Sequence, residues 1–94
     1  MTGVEISEES RPHLATHRRL KFDETRKSWT IQAPERVFLL DDIAHAIVSR
    51  CDGEKSVQQI VDELCAAFEA PRHVVATDAK KLLRDFAAKG VMVL

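Results

Sequence analysis

Glycine is scarce: three in 94 residues, at Gly3, Gly53 and Gly90. One lies in the N-terminal segment and the other two follow helical patterns as caps, so no glycine-rich loop is available to cradle a phosphate. There are only two cysteines, Cys51 and Cys65, with no C-x-x-C pair. They suit packed thiols in a reducing compartment better than a disulfide scaffold. No apolar run approaches the roughly 20 residues of a transmembrane helix, and residues 1–5 lack the basic-then-apolar layout of a secretion signal. Neither charge dominates, since 14 Lys and Arg face 15 Asp and Glu for a net charge of −1. That balance disfavours a strongly basic nucleic-acid or membrane binder. A G-x-S-x-G elbow is missing, and no two histidines among His13, His17, His45 and His73 fall at i, i+4 on a helix. A small cytoplasmic domain without catalytic machinery or a metal site is expected.

What is present divides into two periodicities. Residues 1–10 carry Glu5, Glu8 and Glu9 with no apolar period, and read as a disordered tail before a domain over 11–94. From 18 to 40 the apolar period is two. Leu20 and Phe22 alternate with Arg19 and Lys21, and Trp29 and Ile31 alternate with Ser28, Thr30 and Gln32. Asp23 to Lys27 reads as the hairpin loop between them. Pro34 marks a break, after which Val37-Phe38-Leu39-Leu40 forms a third strand.

From 41 the period becomes 3.6. Leu40, Ile43, Ala44, Ile47, Val48 and Cys51 make one stripe, with Asp41 as N-cap and Asp52-Gly53 as the predicted close. A second stripe runs through Val57, Ile60, Val61, Leu64, Cys65 and Phe68, started by a Ser56/Gln59 capping box. After Ala70-Pro71 a third helix over 72–89 buries Val75, Ala79, Leu82, Leu83 and Phe86, with Gly90 as its cap and Val91 packing back. The apolar C-terminus, Val91 to Leu94, reads as a short final strand or extended segment. Three strands of an antiparallel sheet followed by three helices make an α+β, winged helix-turn-helix-like domain.

Two features exceed the needs of such a fold. Val37-Phe38-Leu39-Leu40 is apolar on both faces, although a sheet covered on one side should alternate. An apolar strand with an unpaired edge is the setting for addition of a peptide strand. Charge is also segregated: residues 41–69 are net −5, whereas 72–89 are net +3, with Lys80 and Arg84 one turn apart. A basic third helix suits an acidic peptide, or DNA if the helix enters a major groove. The hairpin loop, with two acids and two bases, makes a poor DNA-binding wing, so the regulator is the alternative reading. Self-association through the apolar strand is a third.

Arg11-Pro12-His13-Leu14, Leu20-Lys21-Phe22-Asp23, Ala33-Pro34-Glu35-Arg36 and Cys51-Asp52-Gly53, followed by Val57, Ile60 and Leu64, occur in register with these patterns. Over 11–94 the chain thereby resembles the pyrroloquinoline quinone biosynthesis protein D (PqqD) family. Asp41 departs from the asparagine of many relatives, and both residues cap helices. The resemblance implies a non-catalytic, cofactor-free peptide chaperone that binds the precursor peptide PqqA and presents it to the radical S-adenosylmethionine (SAM) enzyme PqqE. It further implies that the leader pairs with the third strand, here Val37, Phe38, Leu39 and Leu40. The leader would then lie against a helical face drawn from Val75, Ala79, Lys80, Leu83 and Arg84. On charge alone, the acidic face of the first two helices is the expected enzyme-facing surface.

Overall fold

The computed structural model describes residues 6–94. A two-residue strand β1 (His13–Leu14) precedes β2 (Arg19–Asp23), β3 (Ser28–Gln32) and β4 (Val37–Leu40), the last three forming an antiparallel sheet in the order β2-β3-β4. The hairpin between β2 and β3 is shaped by Asp23, whose Oδ1 accepts the N–H groups of Thr25 and Arg26 at 2.9 and 3.1 Å. Between β3 and β4 the chain turns tightly, Ala33 and Arg36 exchanging backbone bonds of 2.9 and 3.4 Å. Pro34 sits inside that turn, where its missing N–H disturbs no ladder.

Three helices follow: α1 (Asp42–Val48), α2 (Val57–Phe68) and α3 (Arg72–Ala88). Asp41 caps α1 through an Oδ1 bond from the Ala44 N–H at 2.7 Å, and α2 opens with the full Ser56/Gln59 capping box. The first helix ends earlier than its stripe predicts. Arg50 and Cys51 N–H groups reach back three residues, to Ile47 and Val48, tightening the last turn. Asp52 then bonds the N–H groups of Glu54 and Lys55, both at 2.9 Å. Gly53, at φ +82°, therefore serves this turn and not the helix end. Its N–H bonds the Pro12 carbonyl, and a Cβ there would meet the His13 ring at 3.5 Å.

The end of α3 follows the sequence pattern closely. Gly90 takes φ +77°, its N–H bonds the Ala87 carbonyl and the Val91 N–H returns to Phe86 at 2.8 Å, which is the paired closure of a left-handed cap. The chain then forms β5 (Met92–Val93), antiparallel to β1. The core lies between the sheet and the helices, with Ile31, Ile60, Leu83 and Val91 almost wholly buried.

The expected tail over 1–10 does not hold for residues 6–10; residues 1–5 lie outside the described residues. Ile6 packs against the core, the Ser10 carbonyl accepts from Val57 N–H at 2.8 Å and the Glu8 carbonyl from Gln58 N–H at 2.9 Å. These bonds use donors that the start of α2 leaves free. Composition concealed this because the segment is held by backbone polarity and ion pairs, with Ile6 as its one apolar anchor. His45 of α1 stacks on Trp29 at 4.4 Å between ring centres. Phe22 meets the same indole edge-on at 5.5 Å.

Candidate functional site

The site begins at β4, which pairs with β3 on one side only among the described residues. Register decides which backbone groups are free. Because Ala33 and Arg36 form a doubly bonded pair, alternation along an antiparallel ladder makes Ile31–Phe38 and Trp29–Leu40 the next bonded pairs. The N–H and C=O groups of Val37 and Leu39 consequently point away from β3, along the open edge. Their side chains are 49% and 61% exposed.

Phe38 and Leu40 turn the other way. Phe38 meets Phe86 of α3 at 5.9 Å in an edge-to-face contact, and the Arg36 guanidinium covers it at 4.7 Å. Leu40 is buried. Both faces of β4 are therefore apolar for different reasons, one joining sheet to helix and the other lying in water.

From Asp41, the residue that follows β4, a trough runs between α1 and α3, lined also by Ile43, Ala44, Ile47, Asp78 and Leu82. It deepens into an apolar hollow of about 120 Å³, where Leu64, Phe68, Val74 and Val75 join Ile43 and Ile47. Ile43, Phe68 and Val74 each remain nearly half exposed, an apolar patch that nothing among the described residues covers. At the opposite end the trough is rimmed by Lys81, Arg84 and Asp85. A strand laid on β4 would thus present alternate side chains to a greasy channel with a charged margin.

The helical residues predicted for this surface divide three ways. Val75 lines the hollow and Arg84 lies on the rim. Ala79 and Leu83 are 0% exposed and belong to the core, as does Leu40, so their side chains are closed to a ligand. Lys80 lies on the far flank of α3. Two positions from Asp78, it is rotated about 200° around the helix axis, and its Nζ bonds Glu8 at 3.3 Å. Residues missed by the sequence reading, Val74 and Asp78, form with Leu82 a stripe at i, i+4, i+8 displaced from the Ala79–Leu83 stripe. The available signal was Val74, an apolar residue outside the core pattern.

Glu8 is the hub of the opposite flank. Arg72 bonds it at 2.9 Å and reaches Asp62 with its Nε at 3.1 Å. The hydrogen bonds from Arg72 and then Lys80 hold the Glu8 carboxyl below the usual glutamate range. The bonds that Arg72 donates to Glu8 and Asp62 raise its guanidinium further. Glu63 is likewise bridged by Arg50 at 3.2 Å and Lys55 at 3.1 Å. The α2 part of the acidic face predicted for the first two helices is therefore largely neutralised by the chain's own bases, whereas Asp41 and Asp42 at the start of α1 enter no ion pair among the described residues. Burial pushes the Cys51 thiol up to about 12, and its Sγ donates to the Ile47 carbonyl, which makes it an inert core group. Among the described residues no cluster of three His, Cys, Asp or Glu is arranged to hold a metal, and no helix is long and apolar enough to cross a membrane.

The sequence profile of the family described as Coenzyme PQQ synthesis protein D (PqqD) matches residues 28–92. The chain belongs to the PqqD family. A protein of Bradyrhizobium diazoefficiens described as a PqqA binding protein is 46% identical over 89 residues, covering 95% of this chain and 86% of that one. A PqqA binding protein of Gluconobacter oxydans is 38% identical over 79 residues, 84% of this chain and 82% of the other. Among solved structures, the solution structure of the PqqD portion of Methylobacterium extorquens PqqCD superposes with a TM-score of 0.83 at 34% identity, covering 96% of both chains. It is described as a stand-alone recognition element for a ribosomally synthesized and post-translationally modified peptide. The crystal structure of PqqD from Xanthomonas campestris gives a TM-score of 0.56 at 40% identity, over 90% of this chain and 94% of that one. The three-stranded sheet followed by three helices is thus the PqqD fold.

Proposed function

We propose that this chain is a non-catalytic peptide-binding protein of pyrroloquinoline quinone biosynthesis. It takes the precursor peptide PqqA as an added strand on β4 and presents it to the radical SAM enzyme PqqE. The observation that carries the reading is the outer edge of β4. There the N–H and C=O groups of Val37 and Leu39 have no partner among the described residues, and a largely apolar trough begins at Asp41, directly after the strand. Relatives described as PqqA binding proteins support the peptide's identity, and the M. extorquens relative, described as a recognition element for a modified peptide, supports a binding role.

Four backbone bonds along Val37 and Leu39 would each contribute roughly 0.5–1.5 kcal/mol. One large apolar side chain seated in the hollow between Ile43, Phe68 and Val74 would add about 1.5–3 kcal/mol. Part of that sum is spent ordering the peptide, which leaves reversible binding suited to a carrier. With Lys80 held by Glu8, electrostatic steering of acidic peptide residues falls to Lys81 and Arg84. A DNA-recognition role for α3 has less support, since Arg72 and Lys80 already meet carboxylates and Arg26 of the hairpin loop pairs with Asp23.

NMR shift mapping of the full chain with synthetic PqqA tests the reading. Amides of residues 37–40 should move together with Ile43, Val74, Asp78 and Leu82. A titration that shifts α2 while leaving 37–40 unmoved overturns it.

A further inference from the structure

The face of the sheet opposite the core has no assigned use. Ile31, Phe38 and Leu40 turn inward, so the pleat sends Arg19, Lys21, Thr30, Gln32, Val37 and Leu39 outward. Register arranges these in two full rows, Lys21–Thr30–Leu39 and Arg19–Gln32–Val37, with Asp23–Ser28 as a short third at the hairpin end, where the Asp23 carboxylate is paired with Arg26. Each full row runs from a base through a neutral residue to an exposed aliphatic. In the first row the centre makes no polar demand on a visitor, because Thr30 is 0% exposed and its hydroxyl donates to the Lys21 carbonyl at 2.8 Å. Every ion pair among the described residues is made by other side chains, leaving Arg19 and Lys21 without a carboxylate.

We propose that this outer face is a second docking surface, complete only when a peptide strand lies on β4, and that it takes an acidic, partly apolar protein surface of the enzyme that modifies the peptide. Two arguments choose the occupant. The unpaired bases call for carboxylates, whereas the rival surface on α2 is already neutralised, Asp62 by Arg72 and Glu63 by Arg50 and Lys55. The face is also continuous with the peptide edge. A strand added about 4.8 Å beyond β4 sends alternate side chains outward beside Val37 and Leu39, widening one aliphatic column into two. The enzyme would thereby distinguish loaded carrier from empty carrier without touching the trough. This rests on the strand-addition reading above.

The test uses the full chain, synthetic PqqA and PqqE. The double reversal Arg19→Glu/Lys21→Glu should bind PqqA within twofold of the parent chain, while its loaded form binds PqqE at least tenfold more weakly at low salt. Lys21→Glu alone should give an intermediate loss, and the charge-keeping pair Arg19→Lys/Lys21→Arg should bind PqqE like the parent. Trp29 fluorescence checks that each variant is folded. A reversed variant that binds PqqA normally and PqqE undiminished overturns this proposal alone. So does a parent chain that binds PqqE equally well empty and loaded. A parent chain whose residues 37–40 do not respond to PqqA overturns strand addition, and this proposal with it.

Discussion

Proline at position 39 separates peptide binding from folding more cleanly than any truncation. The Leu39 N–H lies on the open edge, so Leu39→Pro removes a donor that the folded chain does not use. Edge positions of this kind tolerate proline, whose φ falls within the extended basin. The preceding residue, Phe38, is already extended, as proline requires. Leu39 is 61% exposed, so less than half of the roughly 1.5–3 kcal/mol for a fully buried leucine is forfeited. A stability loss of about 1 kcal/mol follows, a melting shift of roughly 4–8 °C for a domain this size. The peptide fares worse. It loses one backbone bond, about 0.5–1.5 kcal/mol, and its carbonyl faces an apolar ring at a further cost of roughly 1–3 kcal/mol. Together these predict affinity lower by about 10- to 2000-fold. Phe38→Pro is the contrast, because Phe38 donates inward to β3 and its ring packs on Phe86; that variant should lose the fold. Calorimetric titration with PqqA, alongside thermal melts, reads both quantities. A folded Leu39→Pro protein that binds PqqA within twofold of the parent refutes the strand-edge argument.

Glu8 links the N-terminal segment to α3, and its carboxyl sits below its ordinary value because Arg72 and Lys80 bond the charged form. A depressed folded value contributes stability above the unfolded pKa of roughly 4.3, and that contribution disappears as pH falls through the folded value. Glu8→Gln should therefore be less stable than the parent at neutral pH, and the two melting curves should converge under acid; a gap that persists at low pH would place the effect elsewhere. The thiols should differ in reactivity. Cys51, buried and raised to about 12, should resist aromatic disulfide reagents until the chain unfolds, whereas the partly exposed Cys65 should react in the native state. Equal native rates, followed by mass spectrometry of the labelled peptides, would contradict the burial.

Where one physical signal acted alone, the sequence was legible. The capping box at Ser56, the Asp41 cap and the Gly90–Val91 closure rest on local hydrogen bonding that residue type dictates. Both faces of β4 were visible as apolar because a period-two strand cannot hide four hydrophobic residues in succession. Long-range polar pairing was not legible. Glu8 meets Arg72 and Lys80 across more than sixty positions, and no local pattern announces it. The same blindness misplaced Lys80. Its charge suggested a peptide-facing role, but helical phase puts it opposite Asp78 and Leu82, and the unforeseen carboxylate occupies it. Ala79 and Leu83 went wrong differently. Periodicity identifies an apolar stripe without saying which part of it the neighbouring elements cover, and here the stripe's centre is core while its flank at Val75 and Leu82 lines the channel.

The three flanks of α3 explain how so small a chain keeps an apolar channel open. Ala79, Leu83 and Phe86 anchor the helix in the core, with Phe86 also touching Phe38 of β4. Arg72 and Lys80 tie the other side to Glu8, whose own backbone accepts from α2. The flank of Val74, Asp78 and Leu82 is then free to remain solvated, since neither fold stability nor helix position depends on filling the space beside it. A trough walled in this way is preorganised, so an arriving peptide bears the cost of its own ordering without having to order the receptor as well. The edge is made safe against unwanted pairing by brevity: β4 has four residues, bounded by the Ala33–Arg36 turn and by the Asp41 cap. An added strand gains only the few backbone bonds of Val37 and Leu39, and must find its remaining affinity in the channel. On the proposed strand addition, selectivity for a particular peptide would therefore rest on Ile43, Phe68, Val74 and Asp78, which line that channel, more than on β4 itself.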